Sequence, residues 1–533
     1  MAPEPTPASL ARSAASAGAA TITSRILGVG REMVIAYLFG ASGFTDAYQV
    51  AFRIPNLLRD LFAEGAMSAA FVPTFTRYLT QSGRTSAWKL GNHVVNALIV
   101  VTGALVILGI VFAEPIILGF ADDKFTSDPA KLALTVQMAR VMLPTLTLIA
   151  VAAAFMGMLN SLHHYFVPAL SPATFNVLTI VCAFALAPLM PVFGLHPIVS
   201  IAIGTLLGGV AQLALQWPTL HREGFRYHPS IDWRDEGLRR MLTLMGPGTI
   251  GMAAVQVNVF VNTALATSTV VGAVSWLNYA FRLMYLPIGL FGVSIATATL
   301  PTVSRQSTDN DFGAVRRTIS DGLSLMLMLN IPAMVGLMVL AEPIVRLLLE
   351  RGEFSPADTA ATAAALQFYA IGLVGYSVVR ILSPVFYALG RNRTPVIVSI
   401  VAVLVNASLN YALVHVLGYR GLALGTSIAA LFNATTLLYL LRAHLHGLDG
   451  GRLLAVVLRI AVASAAMGAT ALFSHSLLET WVPGHALASQ ALRLGTAIGL
   501  ALVVLAASAW LLRIHEFRRA AATIMRRVRR PAR

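Results

Sequence analysis

A chain of 533 residues that is 57% hydrophobic and only 11% charged is not a soluble globular protein but an integral membrane one. Its net charge of +15 does not mark a nucleic-acid binder, because only three residues are lysine and the arginines follow membrane topology. The single cysteine, Cys182, rules out an internal disulfide, and there is no P-loop and no metal-ligand spacing among the twelve histidines; His444, His446 and Asp449 come nearest to one.

Apolar stretches predict fourteen membrane helices, over 17–39, 47–76, 92–118, 136–159, 165–188, 196–218, 241–266, 272–300, 321–348, 361–388, 395–416, 421–441, 453–475 and 489–512. The first is rich in Ala, Gly and Ser and holds two arginines, which makes it too polar and too long for a cleaved signal peptide. With the N-terminus inside, the inner connections carry Arg77, Arg84 and Lys89, then Arg222 to Arg240, Arg305 to Arg317, Arg391 and Arg393, and Arg442 and Arg452. The outer ones hold little beyond Lys124, Lys131, Arg351 and Arg420. Seven arginines between His515 and Arg533 place the tail inside too, as an orienting segment that contacts anionic lipid, and this requires an even number of spans. Gly204-x-x-x-Gly208 and Gly421-x-x-x-Gly425 predict close helix packing.

The chain repeats itself. Pro73, Thr74 and Arg77 match Pro301, Thr302 and Arg305 at an offset of 228; Ala113-Glu114-Pro115-Ile116 matches Ala341-Glu342-Pro343-Ile344 at the same offset. Ala51-Phe52-Arg53 matches Ala280-Phe281-Arg282 at 229. The expected fold is therefore an all-α polytopic membrane protein with 14 transmembrane helices: an N-lobe over 1–220, a C-lobe over 221–445, two further helices over 446–514 and a basic tail over 515–533. Six helices per lobe give both copies the same orientation, so an axis along the membrane normal should relate them, with the working cavity between.

Charge is concentrated between Ser24 and Pro73, where Arg25, Arg31, Glu32, Asp46, Arg53, Arg59, Asp60 and Glu64 thread through apolar sequence. In hydrocarbon each costs roughly 2.5 to 3.5 kcal/mol, so they must face a wet cavity, pair with one another or lie at helix ends. Arg25 and Glu32 are seven apart and share a helix face, as do Asp46, Arg53 and Asp60, which allows internal neutralisation. Internal pairing is the favoured reading for Arg53 and Asp60. Asp46 reads as the cap of the second helix. Pro55, Pro73, Pro287 and Pro301 read equally as gating hinges or static kinks.

The runs SRILGVGRE, TDAYQVAFRIPNLLRDLFAEGAMSAAFVPTF and SWLNYAFRLMYLPIGLFGVSIATATLP resemble the MurJ (MviN) lipid II flippases of the multidrug/oligosaccharidyl-lipid/polysaccharide exporter superfamily, a likeness that runs the whole chain. The resemblance implies a transporter and not an enzyme, in the bacterial inner membrane with both termini cytoplasmic. It would move undecaprenyl-pyrophosphate-linked disaccharide pentapeptide outward by alternating access, with helices 13 and 14 forming a groove for the polyprenyl tail. It assigns substrate binding to Arg25, Arg31, Arg59 and Arg282, and gate or supporting roles to Ser24, Glu32, Asp46, Arg53, Asn56 and Glu64. The chemistry fits: a pyrophosphate calls for permanently charged, bidentate donors, which arginine supplies and lysine does not. Lipid II and membrane lipids are the implied partners, without nucleic acid, for a monomer that associates with cell-wall synthesis machinery.

Departures from the family pattern matter for energy coupling. Glu32 stands where Asp is common, and Phe281 and Tyr285 stand where acids occur. Helix 7 offers Gln256, Asn258 and Asn262, and helices 10 and 11 offer Arg380, Ser383 and Asn406, but no carboxylate for a sodium site. No cofactor is expected; membrane potential acting on the charged lipid or the arginines is the alternative drive. Two other readings stand beside the flippase. A superfamily exporter of another polyprenyl-linked glycan or of a drug cation is one, although a drug cation would favour acidic cavity residues. A membrane glycosyltransferase is the other, and Asp122, Asp123 and Asp128 are the outer-loop carboxylates it would need.

Overall fold

A computed structural model describes residues 7–60, 65–289, 293–309, 311–448, 450–484, 486–514 and 517. Among these there are twenty α-helices and no strand, divided between two compact units, 1–275 with 351–354 and 276–350 with 355–533. The first unit contains α1 (Pro7–Phe39), α2 (Gly43–Arg59), α3 (Gly65–Gln81), α4 (Gly83–Val111), α5 (Ala113–Phe120), α6 (Asp123–Thr126) and α7 (Pro129–Met142). It continues through α8 (Thr145–Ser161), α9 (Phe166–Leu186), α10 (Val199–Arg222), α11 (Glu236–Thr267) and the first turn of α12 (Ala273–Pro287). The second holds the rest of α12, then α13 (Val293–Thr308), α14 (Phe312–Val339), α15 (Ala341–Leu349), α16 (Pro356–Ala388), α17 (Arg393–Leu417), α18 (Tyr419–His444), α19 (Gly450–Trp481) and α20 (Leu487–Leu511).

Three expected spans are each broken into two helices within the described residues, and a proline lies close to each break. A proline cannot donate to the carbonyl four residues earlier and its ring crowds that carbonyl, so the helix ends there. Pro115 ends α4 at Val111, and Pro343 ends α14 at Val339. The linking residues, Phe112 (φ −97°, ψ 20°) and Leu340 (φ −101°, ψ 19°), adopt the same conformation 228 positions apart. The sequence repeat is thus a repeat of backbone. Pro144 separates α7 from α8 in the same way.

Ten helical segments among the described residues are long and apolar enough to cross a bilayer unaided. The four expected spans outside that set are α1, α2–α3, α11 and α12–α13. They form two repeat-related pairs, and they carry the ionisable and amide side chains singled out above.

Within the first unit α3, α4, α8 and α11 enclose a core of Phe71, Phe75, Leu90, Met158, Phe225 and Met241. Because α11 packs on α3 and α4, this compact unit runs past the lobe boundary expected at residue 220. Small residues set the α9–α10 distance: a Cβ on Gly204 would sit 2.9 Å from the Thr179 Cα, and one on Gly208 3.0 Å from the Phe175 carbonyl oxygen. In the second unit Gly421 and Gly425 let α18 approach Leu413 and Asn410 of α17 equally closely. Both spacings do what small-residue motifs predict. The two helices without a repeat partner, α19 and α20, belong to the second unit; Val456, Ile460 and Ala463 of α19 and Ala509 of α20 pack with Ile331 of α14.

Candidate functional site

Helix α1 brings its charged residues to two different environments. Arg25 is exposed, whereas Arg31 and Glu32 are each 5% exposed. The Arg31 Nη2 donates to Glu32 Oε1 at 2.7 Å, and the guanidinium lies 5.9 Å from the Phe52 ring centre and 5.5 Å from that of Phe175. Its Nε is buried with no hydrogen-bond partner among the described residues. The helix is held in place from α9, where Asn176 Nδ2 donates to the Ser24 carbonyl at 3.1 Å.

Helix α2 supplies the second arginine. Arg59 donates through Nε and Nη2 to Asp60 Oδ1, at 3.1 and 2.9 Å, and Gln256 of α11 donates to the other Asp60 oxygen at 3.3 Å. Arg59 and Asn56 line a narrow crevice whose walls include Phe52 and Phe175, the two rings that flank Arg31. Arg31 and Arg59 therefore stand at one ring pair, although 28 positions separate them in sequence. Each is paired with the carboxylate that follows it directly. That arrangement offsets the repulsion between neighbouring cations.

The ion pairs seen at these carboxylates join neighbours in sequence. Two helical turns span about 10 Å, and Glu32 reaches Arg31 while Asp60 reaches Arg59. Arg53 is half-buried on the same helix.

Asp46 also departs from expectation. Ser42 is the N-cap of α2, its Oγ accepting from the Thr45 N–H at 3.3 Å. Asp46, in the first turn, is 2% exposed and caps a different helix. Its carboxylate accepts from the Gly272 N–H at 2.6 Å, the Ser275 N–H at 2.9 Å and the Ser275 hydroxyl at 2.7 Å, at the start of α12. The serine four positions before Asp46 already satisfies the local donor, which leaves the carboxylate for the orphan donors of α12. Glu64 lies outside the described residues.

Arg282, in the second unit, is half-buried, and its Nε donates to Asn278 Oδ1 one turn earlier at 3.3 Å. Phe281 packs against Tyr285 of its own helix and Tyr369 of α16, and the Tyr285 hydroxyl is in contact with Arg380. Where acids occur in the family pattern, this chain therefore places aromatic rings and a second arginine. Arg380 and the Phe52–Phe175 pair are the site features that the sequence left unassigned. Their partners lie 95 and 123 positions apart, beyond any local signal.

Comparisons with known proteins agree with this architecture. A family model described as "Lipid II flippase MurJ" matches residues 35–492. A probable lipid II flippase MurJ from Vibrio cholerae is 34% identical over 490 residues, covering 90% of this chain and 92% of its own. One from Bdellovibrio bacteriovorus is 36% identical over 453 residues, covering 84% and 85%. Among solved structures, a lipid II flippase MurJ in an inward-closed conformation superposes with a TM-score of 0.76 at 29% identity, covering 93% of this chain and 98% of that one. An inward-facing multidrug resistance MATE transporter of the MOP superfamily gives 0.68 at 17% identity, covering 79% and 94%, a likeness of fold alone.

Proposed function

The chain belongs to the lipid II flippase MurJ family, and from that premise we infer that it is a lipid II flippase, a multi-pass transporter of the bacterial inner membrane. It carries the undecaprenyl-pyrophosphate-linked peptidoglycan precursor from the inner to the outer leaflet by alternating access between two repeat-related lobes. Both termini are cytoplasmic, and α19 and α20 form the groove for the polyprenyl tail. It works as a monomer associated with cell-wall synthesis machinery.

The observation that carries the site assignment is the convergence of Arg31 and Arg59 on one ring pair. Arg31 keeps its buried Nε edge unused. A pyrophosphate arriving at these side chains offers several oxygens and a multiple negative charge, so it can accept from that edge and compete with Glu32 and Asp60 for the forks. Arg25 and Arg282 complete the set. With each carboxylate one residue from its arginine, the guanidiniums return to neutral pairs once the lipid leaves, and release does not strand a buried charge. Arginine suits both states because it stays protonated throughout and binds through a planar fork. No cofactor takes part. The drive is the membrane potential acting on the charged lipid or the arginines, since the helices that could hold sodium offer amides and an arginine where a carboxylate is required.

Expression of this chain in a cell depleted of its own lipid II flippase tests the function. Growth with normal wall synthesis is the expected result; lysis, despite normal amounts of the protein in the membrane, would count against it.

A further inference from the structure

A second cationic recess lies in the second unit, lined by none of the residues of the candidate site. A cleft of about 640 Å³ opens between the start of α14, the turn before α17 and the end of α18, lined by Arg316, Arg391, His444 and His446 with Phe312 at its edge. An adjoining recess of about 380 Å³ shares His446 and adds Arg442 and Tyr439. Among the described residues neither is lined by a carboxylate. Two other surface arginines are matched: Arg452 pairs with Asp321 at 3.1 Å and Arg84 with Glu223 at 3.2 Å. No ion pair holds Arg316, Arg391 or Arg442 among the described residues, and the Arg316 Nε is buried without a hydrogen-bond partner.

We propose that this recess is a binding site for a phosphate group, distinct from the transport site. Three guanidiniums gathered without an acid repel one another, and an anion with several oxygens is the ligand that removes the repulsion while accepting from their forks. These segments form the arginine-rich end of the second unit, which the positive-inside rule places at the cytoplasmic face. Tyr439 is 72% exposed, an amphipathic ring of the kind expected at headgroup level, and Phe312 at the edge of the cleft is 41% exposed. A basic recess between helix ends at that level takes the phosphodiester of an anionic phospholipid, or a free phosphate from the cytoplasm. His444 and His446, which invite a metal reading from sequence, fit this role better, because their recess is lined by arginines that oppose a cation.

The test uses the purified full-length protein in mixed micelles. It is titrated with phosphatidylglycerol, with phosphatidylcholine and, separately, with inorganic phosphate, and the thermal midpoint is read. The expected result is stabilisation by phosphatidylglycerol over phosphatidylcholine, with roughly thirty-fold lower apparent affinity in Arg316→Gln/Arg391→Gln. Arg391→Gln alone, at an exposed turn position, should show part of the loss if the double variant does not fold. Arg452→Gln removes a charge from the same face outside the cleft and should behave like the parent. Saturation by inorganic phosphate with the same variant pattern would identify the free anion as the ligand and sustain the site. Equal losses in Arg391→Gln and Arg452→Gln, or a parent that neither prefers phosphatidylglycerol nor responds to inorganic phosphate, would overturn it. Micelle binding needs no transport, so this result stands or falls apart from the flippase assignment.

Discussion

Two stretches that recur at almost the same offset have met different fates. The breaks at Phe112 and Leu340 repeat to within a few degrees. In α2 and α12, by contrast, Arg53 matches Arg282, but Asn56, Arg59 and Asp60 correspond to Tyr285, Ile288 and Gly289 at the offset of 229. Helix geometry imposed by an Ala-Glu-Pro sequence has been kept in both copies, while charge has been concentrated in the first. One copy therefore carries neutralised arginine–carboxylate pairs, and the other carries Arg282 among amide and aromatic side chains.

Removing the charged side of this contrast should have the largest effect. Each charge-assisted contact to phosphate is worth about 1.5 to 3 kcal/mol, so Arg31→Ala/Arg59→Ala should abolish complementation at normal membrane levels, and each single variant should weaken lipid II binding about tenfold to a hundredfold. Arg31→Lys and Arg59→Lys should recover little, because the charge is kept but the fork is lost. Arg282→Ala should also impair growth. If it grows normally, the second copy contributes no ligand and the proposed role of Arg282 fails. Next in size is Asp46→Ala, which leaves the Gly272 and Ser275 donors unsatisfied and should cost about 2 kcal/mol of thermal stability. Gly425→Ala puts a methyl against Asn410 and should cost about 1 to 3 kcal/mol. Smallest are Arg77→Ala and Arg305→Ala, the repeat-related pair outside the site, where a change under about 0.5 kcal/mol and full growth are expected. Orientation is checked by a cysteine in place of Ser127, in a Cys182→Ser background. It should react with an impermeant thiol reagent from outside, and one in place of Ser307 should not.

Much of the fold could be read from the sequence because membrane spans and repeats are local, additive signals. The Ala-Glu-Pro match located a shared feature, although it took the carbonyl lost to Pro115 and Pro343 to turn two expected long helices into four. The site was legible only as a set of residue types. Arg31 and Arg59 could be picked out as expensive charges in apolar sequence, but their neighbours Phe175 and Gln256 come from α9 and α11, and no local pattern predicts such contacts. Asp46 shows the same limit. Its position in a first turn was evident, but which helix it caps depended on a serine four residues earlier and on a helix start more than two hundred positions away.

The central proposal is that Arg31 and Arg282 both contribute to binding the pyrophosphate of lipid II. Lipid II binding by the purified parent, Arg31→Ala, Arg282→Ala and the double variant tests it most directly. Residues that grip the same group should not act additively, so the account predicts that each single change weakens binding at least about tenfold, with a coupling in the double variant above about 0.5 kcal/mol. Four proteins that bind lipid II with equal affinity would contradict it.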